Sequence, residues 1–343
     1  MALFDVRAGW VGPVGARRWH TAITPAQIVP VSPAPYRASR PTPRPPGETT
    51  RPMIVAVGES LWDQLPGGST AFGGAPANVA IHAAALGAEA WLVSAVGNDA
   101  RGNMAFERLD VAGVNRTAVT RVGGRPTGAV QVGIEPRGRL SYSVATETAW
   151  DAIPWSATIE GAVRRAEAIC FGTLAQRSQL TKDTIRHAVG ATQPRSWRLL
   201  DVNLREKFFD AEIIKTSLTL ANAVKLNEEE LPIVAKYCAL GAGTEAAQLS
   251  ALVDKFALRL AVLTRGERGS LMRTPSIEVE TGAPQTVVVD TIGAGDAFTA
   301  ALLVGMLNGL PLDVVAVKAN TVAAYVCSQP GATPALPPGF AIK

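Results

Sequence analysis

The sequence predicts a doubly wound α/β fold: a mainly parallel sheet sandwiched by helices, with a small β lid. Three observations lead there. Short apolar runs alternate with helix-like segments along most of the 343 residues. Those runs are apolar throughout rather than at every second position, as strands covered on both faces should be. Two more polar strand-like stretches, near 61–72 and 121–147, break the alternation and read as an excursion from the main sheet.

The regular pattern starts at Met53. Met53–Gly58 (MIVAVG) is a short apolar run ending in glycine, a buried strand. Ala75–Gly87 is alanine-rich and closes on Gly87, a helix stop. Ala90–Gly97 reads as strand and Gly102–Gly113 as helix. Thr127–Ile134 and Arg139–Val144 are the lid pair. A helix near Ser156–Ala166, a strand over Ala168–Gly172, a helix over Ser178–Ala191 and a strand over Arg198–Asn203 follow. Next come a helix over Ala211–Leu220, a strand over Ala223–Asn227, helices near Glu228–Ala239 and Glu245–Phe256, and a strand over Leu260–Gly266. A hairpin-like stretch leads to a strand over Thr286–Asp290 (TVVVD) and helices near Ala294–Leu307 and Leu312–Cys327. Sheets of this kind bind ligands at the carboxyl ends of their strands.

Composition narrows the function classes. Hydrophobic residues make up 47% and charged residues 18%, enough for a sizeable core, which excludes global disorder. No run of about 18 apolar residues occurs, so neither a membrane span nor a membrane partner is expected. Cys170, Cys238 and Cys327 are odd in number and far apart, with neither CxxC nor zinc spacing. They fit a reducing cytosol, so a cytoplasmic location is expected. His20, His82 and His187 are scattered and show no metal-ligand spacing.

The net charge of +4 invites a nucleic-acid reading, but its distribution opposes it. Residues 1–51 hold seven arginines against Asp5 and Glu48, so that segment carries +5 and the remainder −1. No basic face with interleaved aromatics is evident in the rest, so no nucleic-acid partner is expected. The same segment holds nine prolines, which cannot donate to ladders, and reads as a disordered Pro/Arg-rich extension before a domain over 52–343. Three origins for it stay open: a true tail, a start assigned too early with the real one near Met53, or a targeting peptide. The last is opposed by the lack of an amphipathic period or an apolar h-region.

The strongest motif is VVVDTIGAGDAF. Gly293, Ala294 and Gly295 have little or no side chain, so an anion can approach their N–H groups. The turn runs into a helix N-terminus, where unpaired N–H groups and the dipole favour negative charge. Asp296 stands there either as a helix cap or as a general base.

DTIGAGDAF resembles the DTxGAGD signature of the ribokinase-like (PfkB family) carbohydrate kinases. Gly73–Asn103 resembles that family's other signature: a GG-x-x-x-N turn (Gly73, Gly74, Asn78), an alanine-rich helix, and G-x-D-x-x-G at Gly97, Asp99 and Gly102. Two signatures in the right order about 220 residues apart are far more specific than either alone. The similarity spans about Met53–Gly339 and implies the ribokinase-like three-layer α/β/α fold. GxxxxGK[ST], a GxGxxG after the first strand, GxSxG and HExxH are all lacking, which sets aside P-loop, dinucleotide, hydrolase and zincin readings.

The resemblance implies transfer of the ATP γ-phosphoryl group to a sugar hydroxyl, in a fructokinase-like branch. It makes Asp296 the base and the N–H groups of Gly293, Ala294, Gly295 and Asp296 an anion hole, with Arg205 of DVNLR reaching the transferred phosphate. It places Asp63, Gly73, Gly74, Asn78 and Asn203 at the sugar. Lys225, Thr264, Gly266, Gly295 and Asn320 go to ATP. Asn227 and Glu230 match N-x-x-E, implying Mg²⁺ held largely through water, although NEEE is equally a good helix start. Asp290 and Ile292 match part of a K⁺ or other monovalent-cation loop. A homodimer through the lid is compatible with the family.

One departure bears on substrate. Ketodeoxygluconate kinases and many plant-type fructokinases of the family carry a Tyr-Arg pair in the lid; here Tyr142 is present, but no arginine lies between it and Asp151. Such an arginine would pair with a substrate carboxylate. Its absence favours a neutral sugar, fructose first. Ribose, a nucleoside, ketodeoxygluconate or a sugar phosphate stay open, since Arg121, Arg125, Arg137 and Arg139 are available near the lid. Trp150 either packs on the sugar or fills the lid core, and the core reading is favoured. A catalytically silent scaffold is the alternative of another class, opposed by intact Asp296, Gly293 and Gly295.

Overall fold

A computed structural model of the chain describes residues 51–64, 68–134 and 140–342. The extension expected over 1–51 lies outside them except for Arg51, as do Arg137, Arg139 and the side chain of Tyr142.

The apolar runs are strands of one nine-stranded sheet. In chain order these are β1 (Met53–Val57), β4 (Glu89–Gly97), β5 (Val119–Val122), β8 (Ala168–Phe171), β9 (Trp197–Asp201), β10 (Ala223–Asn227), β11 (Leu260–Thr264), β12 (Ser270–Arg273) and β13 (Glu278–Thr281). The order across the sheet is β13-β12-β11-β10-β9-β8-β1-β4-β5. All pairs are parallel except the β11-β12-β13 hairpin edge. The chain moves from β1 to β4 and β5 on one side, then to β8 on the other. The order therefore reverses beside β1, where a parallel sheet opens a crevice at its strand ends.

Successive residues of each strand feed opposite cores. Val55, Val57, Ile169, Phe171, Leu200 and Leu263 face one, under α3 (Ala157–Arg165), α4 (Gln179–Gly190), α5 (Ala211–Leu220), α6 (Glu230–Tyr237) and α7 (Glu245–Phe256). Ile54, Ala56, Leu92, Cys170, Leu199 and Val262 face the other, under α1 (Ala75–Ala85), α2 (Ala100–Val111), α8 (Ala294–Leu307) and α9 (Leu312–Cys327). Two covered faces explain runs without alternation. The helices start where the sequence offers caps: Asp99, Ser156, Asp210 and Thr244 each accept an N–H from the first turn. α8 is buried on every side from Asp296 to Gly305, as an evenly apolar helix must be.

The lid is a four-stranded sheet in the order β3-β2-β6-β7, formed by β2 (Leu61–Gln64), β3 (Thr70–Gly73), β6 (Gly128–Ile134) and β7 (Leu140–Val144). Two expectations are corrected. Residues 121–122, assigned by sequence to the lid, belong to β5, which pairs with β4 in the main sheet. Its short, half-exposed edge sequence VTRV carries little strand signal. Thr286–Asp290 is not a strand. Its β-branched run lacks a ladder and bends at Val289, Val287 and Val289 are 58% and 60% exposed, and Val289 and Asp290 donate their N–H groups to Cys327 O. Among the described residues no helix is long and apolar enough to cross a membrane.

Candidate active site

The candidate residues gather where the sheet order reverses, at the carboxyl ends of β1, β8, β9 and β10. Two helices begin there. α1 starts after Gly74 at φ +103°, with no room for a side chain: a Cβ would lie 2.6 Å from Glu59 O. α8 starts after Gly293 at φ +79°, where a Cβ would lie 2.2 Å from Ala332 O. Neither N-cap residue supplies a side-chain cap to its helix. The α8 N-terminus thus presents N–H groups beside Asp296, the arrangement that attracts anions.

Asn78 and Asp296 connect the two helices. Asn78 Nδ2 donates to Asp296 Oδ2 at 2.8 Å, while Asn78 Oδ1 is buried without a partner. Asp63, on β2, is adjacent: the pro-Cβ position of Gly73 lies 3.3 Å from its Oδ2 and 3.6 Å from Asn78 Oδ1. Four expected sugar residues, Asp63, Gly73, Gly74 and Asn78, therefore meet around Asp296.

Beneath Asp296 lies a buried charge array. Lys225 Nζ stands 3.2 Å from both oxygens of Asp201, and Thr299 Oγ1 donates to Asp201 Oδ2 at 2.8 Å. The same Nζ is 3.0 Å from the pro-Cβ position of Gly295. Burial, then the negative charge of Asp201, push the Asp296 carboxyl up to about 7; the Asn78 hydrogen bond and the charges of Lys225 and Arg205 oppose them. Burial also raises Asp63 to about 6, against the pull of Arg205. Burial works against the Lys225 ammonium, but Asp201, Glu230 and Asp296 together raise its pKa.

Arg205 follows β9 in a loop with its guanidinium exposed, and its charge reaches Glu59, Asp63 and Asp296. Asn203 stands in the same loop at φ +40°. Asn227 Oδ1 accepts from the N–H groups of Glu229 and Glu230, so the helix-start reading of NEEE holds. Glu230 is buried with Oε1 accepting from Leu204 N–H and Oε2 from Asn227 N–H, both at 2.9 Å or less. Those commitments do not fit Glu230 as a direct metal ligand, and among the described residues no group of three or more His, Cys, Asp or Glu is placed to hold a metal. Asp290 Oδ1 accepts from Ile292 N–H and Oδ2 from Gly331 N–H, so it fastens the loop before α8 to residue 331.

Thr264 and Gly266 lie farther along the same rim, at the end of β11 and the turn after it. Asn320, on α9, spends its amide N–H inside the fold, on Ser270 Oγ and Thr281 O.

Sequence reasoning missed three residues. Glu59 is 4% exposed, with Oε2 lacking a partner, and burial raises its pKa against the charges of Arg205 and Arg177. Its position directly after the glycine closing β1, at the ligand-binding end of a parallel strand, was the available signal. His82 Nε2 stands 2.9 Å from Ala332 O, the carbonyl that crowds Gly293. Arg177 reaches the run 145–151 from a different segment: it holds Asp151 through Nε and Nη2 at 2.8 Å and lies 4.0 Å over the Trp150 ring. Trp150 is fully buried, as expected of lid core, and Arg121 is engaged with Asn103 and Gly97 O.

The chain resembles known proteins in sequence and fold. The family described as pfkB family carbohydrate kinase matches residues 47–338. A Pyrococcus horikoshii protein described as an uncharacterized sugar kinase is 31% identical over 272 residues, covering 76% of this chain and 82% of that one. The fructokinase of Salmonella typhimurium is 27% identical over 301 residues, covering 83% and 96%. Among solved structures, a Vibrio cholerae fructokinase with fructose, ADP and calcium bound superposes with a TM-score of 0.71 at 25% identity, covering 84% and 96%.

Proposed function

The chain belongs to the pfkB family of carbohydrate kinases, and we propose that it moves the γ-phosphoryl group of ATP to a hydroxyl of a neutral sugar, fructose first. One observation carries the reading: a buried carboxylate, Asp296, poised near neutrality at an uncapped helix N-terminus and hydrogen-bonded to Asn78.

The proposed roles follow from position. Asp63 and Asn78 orient the sugar so that one hydroxyl meets Asp296. That carboxylate takes the hydroxyl proton as the oxygen bonds to the γ-phosphorus and the bond to the β-phosphate oxygen breaks, releasing ADP. The N–H groups at Gly293, Ala294, Gly295 and Asp296, with Arg205, offset charge on the transferring group. Lys225 sits beneath the phosphates. Positioning and charge stabilisation carry most of such a reaction. A base with a pKa near the working pH is at its most effective. Mg²⁺ is expected to arrive on the triphosphate, with no direct ligand asked of Glu230.

Two features support a neutral substrate. No lid arginine follows Tyr142, and Arg177, the cation that does reach this run, is committed to Asp151. The fructokinase relatives favour fructose. A homodimer through the small sheet is proposed on its open edge at β3, and light scattering reads it.

The test is ADP release with Mg-ATP against fructose, glucose, ribose, adenosine, ketodeoxygluconate and fructose 6-phosphate, with Asp296→Asn as control. Turnover of fructose that the variant loses supports the reading. Turnover only of adenosine or of an acid sugar overturns the neutral-sugar part. No turnover of any of the six, with Mg-ATP still bound, overturns the kinase reading for these substrates.

A further inference from the structure

We propose that Glu206 is a positioning residue that sets Arg205 against the small sheet carrying Asp63. The inference rests on the reading of Arg205 and Asp63 given above and adds a residue to it.

Arg205 is bracketed by two non-glycine residues in left-handed conformation, Asn203 at φ +40° and Glu206 at φ +46°. Such conformations persist only where surrounding contacts enforce them, and they concentrate at functional sites. Here the contacts are visible. On the near side, Glu230 Oε1 accepts the Leu204 N–H. On the far side, Glu206 Oε1 accepts the Val144 N–H at 2.9 Å. Phe208 completes the loop's attachments, with Arg177 4.6 Å over its ring.

Val144 lies on β7, an edge of the four-stranded sheet. It stands opposite Val130, and the next amide, Ala145 N–H, donates to Ala129 O. Alternate amides of an edge strand point away from its neighbour. The Val144 amide is one of these, and it meets a carboxylate in place of water. β7 pairs with β6, and β6 with β2, whose third residue is Asp63. An unbroken path of hydrogen-bonded strands thus runs from Glu206, next to Arg205, to Asp63.

The fold itself gives Glu206 little reason to be glutamate. The residue is exposed, and its backbone conformation favours glycine or asparagine. What glutamate supplies is reach to β7. A sheet that carries a sugar-binding acid and a loop that carries a phosphate-facing arginine are thereby held in one register.

The test uses the full chain, with Glu206→Ala, Glu206→Gln and Glu206→Gly. Glutamine keeps an oxygen that accepts the Val144 N–H; glycine relieves the left-handed conformation while removing the latch. Amide exchange at Val144, read by NMR without ligands, is expected to quicken about tenfold or more in the alanine and glycine variants and to stay near the parent rate in the glutamine variant. With whichever sugar of the panel above is turned over, the alanine and glycine variants should raise the sugar KM about tenfold, the scale of one hydrogen bond to a charged group, lower kcat through the displaced Arg205, and leave the ATP KM unchanged. The glycine variant should unfold at no lower a temperature than the parent, which separates positioning from stability. An unchanged Val144 exchange rate in the alanine variant overturns the proposal, and so does a glutamine variant as impaired as the alanine one. If the parent turns over no sugar, the kinase reading fails by itself and the exchange comparison still decides the latch.

Discussion

Asn78 and Asp296 lie 218 residues apart in the chain and are joined by a 2.8 Å hydrogen bond between the first turns of two buried helices. The amide donates, so it favours the ionised carboxylate and opposes the burial that pushes Asp296 toward the neutral form. The residue that would orient a sugar therefore also helps set the charge state of the group that would deprotonate it.

Replacing Asp296 should separate catalysis from stability. Asp296→Asn is expected to lower kcat by two to four decades, the usual span for a general base. Its effect on folding runs the other way. The carboxyl titrates near 7 when folded, against an ordinary value of 3.8, so the folded protein binds the extra proton between those limits. Stability from this group therefore falls as pH rises from about 4 to about 7. Thermal unfolding should show the variant more stable than the parent at pH 8, with the difference gone by pH 4.

The Asp201 charge is the second cause of the raised Asp296 pKa. The parent's kcat/KM for the sugar should rise with pH to a plateau beginning near 7. Asp201→Asn should move that limb to lower pH, because it removes a repulsive charge and frees Lys225 to act on Asp296. A limb that stays in place would assign the titration to another group.

Lys225→Met strands Asp201 in the interior with Thr299 as its remaining hydrogen-bond donor among the described residues. Losing one partner of a buried ion pair costs about 3–5 kcal/mol, so urea unfolding should show a loss on that scale. Adding Asp201→Asn should recover much of it. Activity should not return if Lys225 lies beneath the phosphates, as proposed.

Gly293→Ala tests the turn itself. The left-handed backbone alone costs an alanine about 1–2 kcal/mol. The added methyl would also stand 2.2 Å from Ala332 O, so the segment near residue 332 must shift. Displacing the N–H groups of the turn should lower kcat by roughly a hundredfold or more, as loss of an oxyanion donor does. Unfolding and kinetic measurements on the one variant check both effects.

Much of this was legible in the residues because local and global signals agreed. Gly74-Ala75-Pro76 and Gly293-Ala294-Gly295 mark helix starts that need small residues, and both turns proved too tight for a side chain. The two-sided burial of the strands was visible as unbroken apolar runs. Thr286–Asp290 misled because β-branched residues favour extended backbone whether or not a ladder partner exists, and here none is offered. Glu59 was overlooked although its place after Gly58 at a strand end was readable, whereas His82 and Arg177 were missed for a different reason. Each takes its meaning from a contact distant in the chain, as His82 does from Ala332, and spacing within one segment cannot show that. Asn320 shows the converse, since its motif match leaves unseen that its amide is already bonded to Ser270 and Thr281.

The helices α8 and α9 lie late in the chain, yet they cover the face to which the first strand contributes Ile54 and Ala56. α1 and α2 can cover part of that face early in synthesis, but the part completed by α8 and α9 stays apolar and open until more than two hundred residues after the first strand have emerged. The wait exposes the nascent chain to aggregation, a hazard of late-covered apolar surface. It also makes competence all-or-none: a chain broken before α8 would lack the proposed base Asp296 together with two of the four helices that cover that face, so fragments that survive as partial enzymes are not expected.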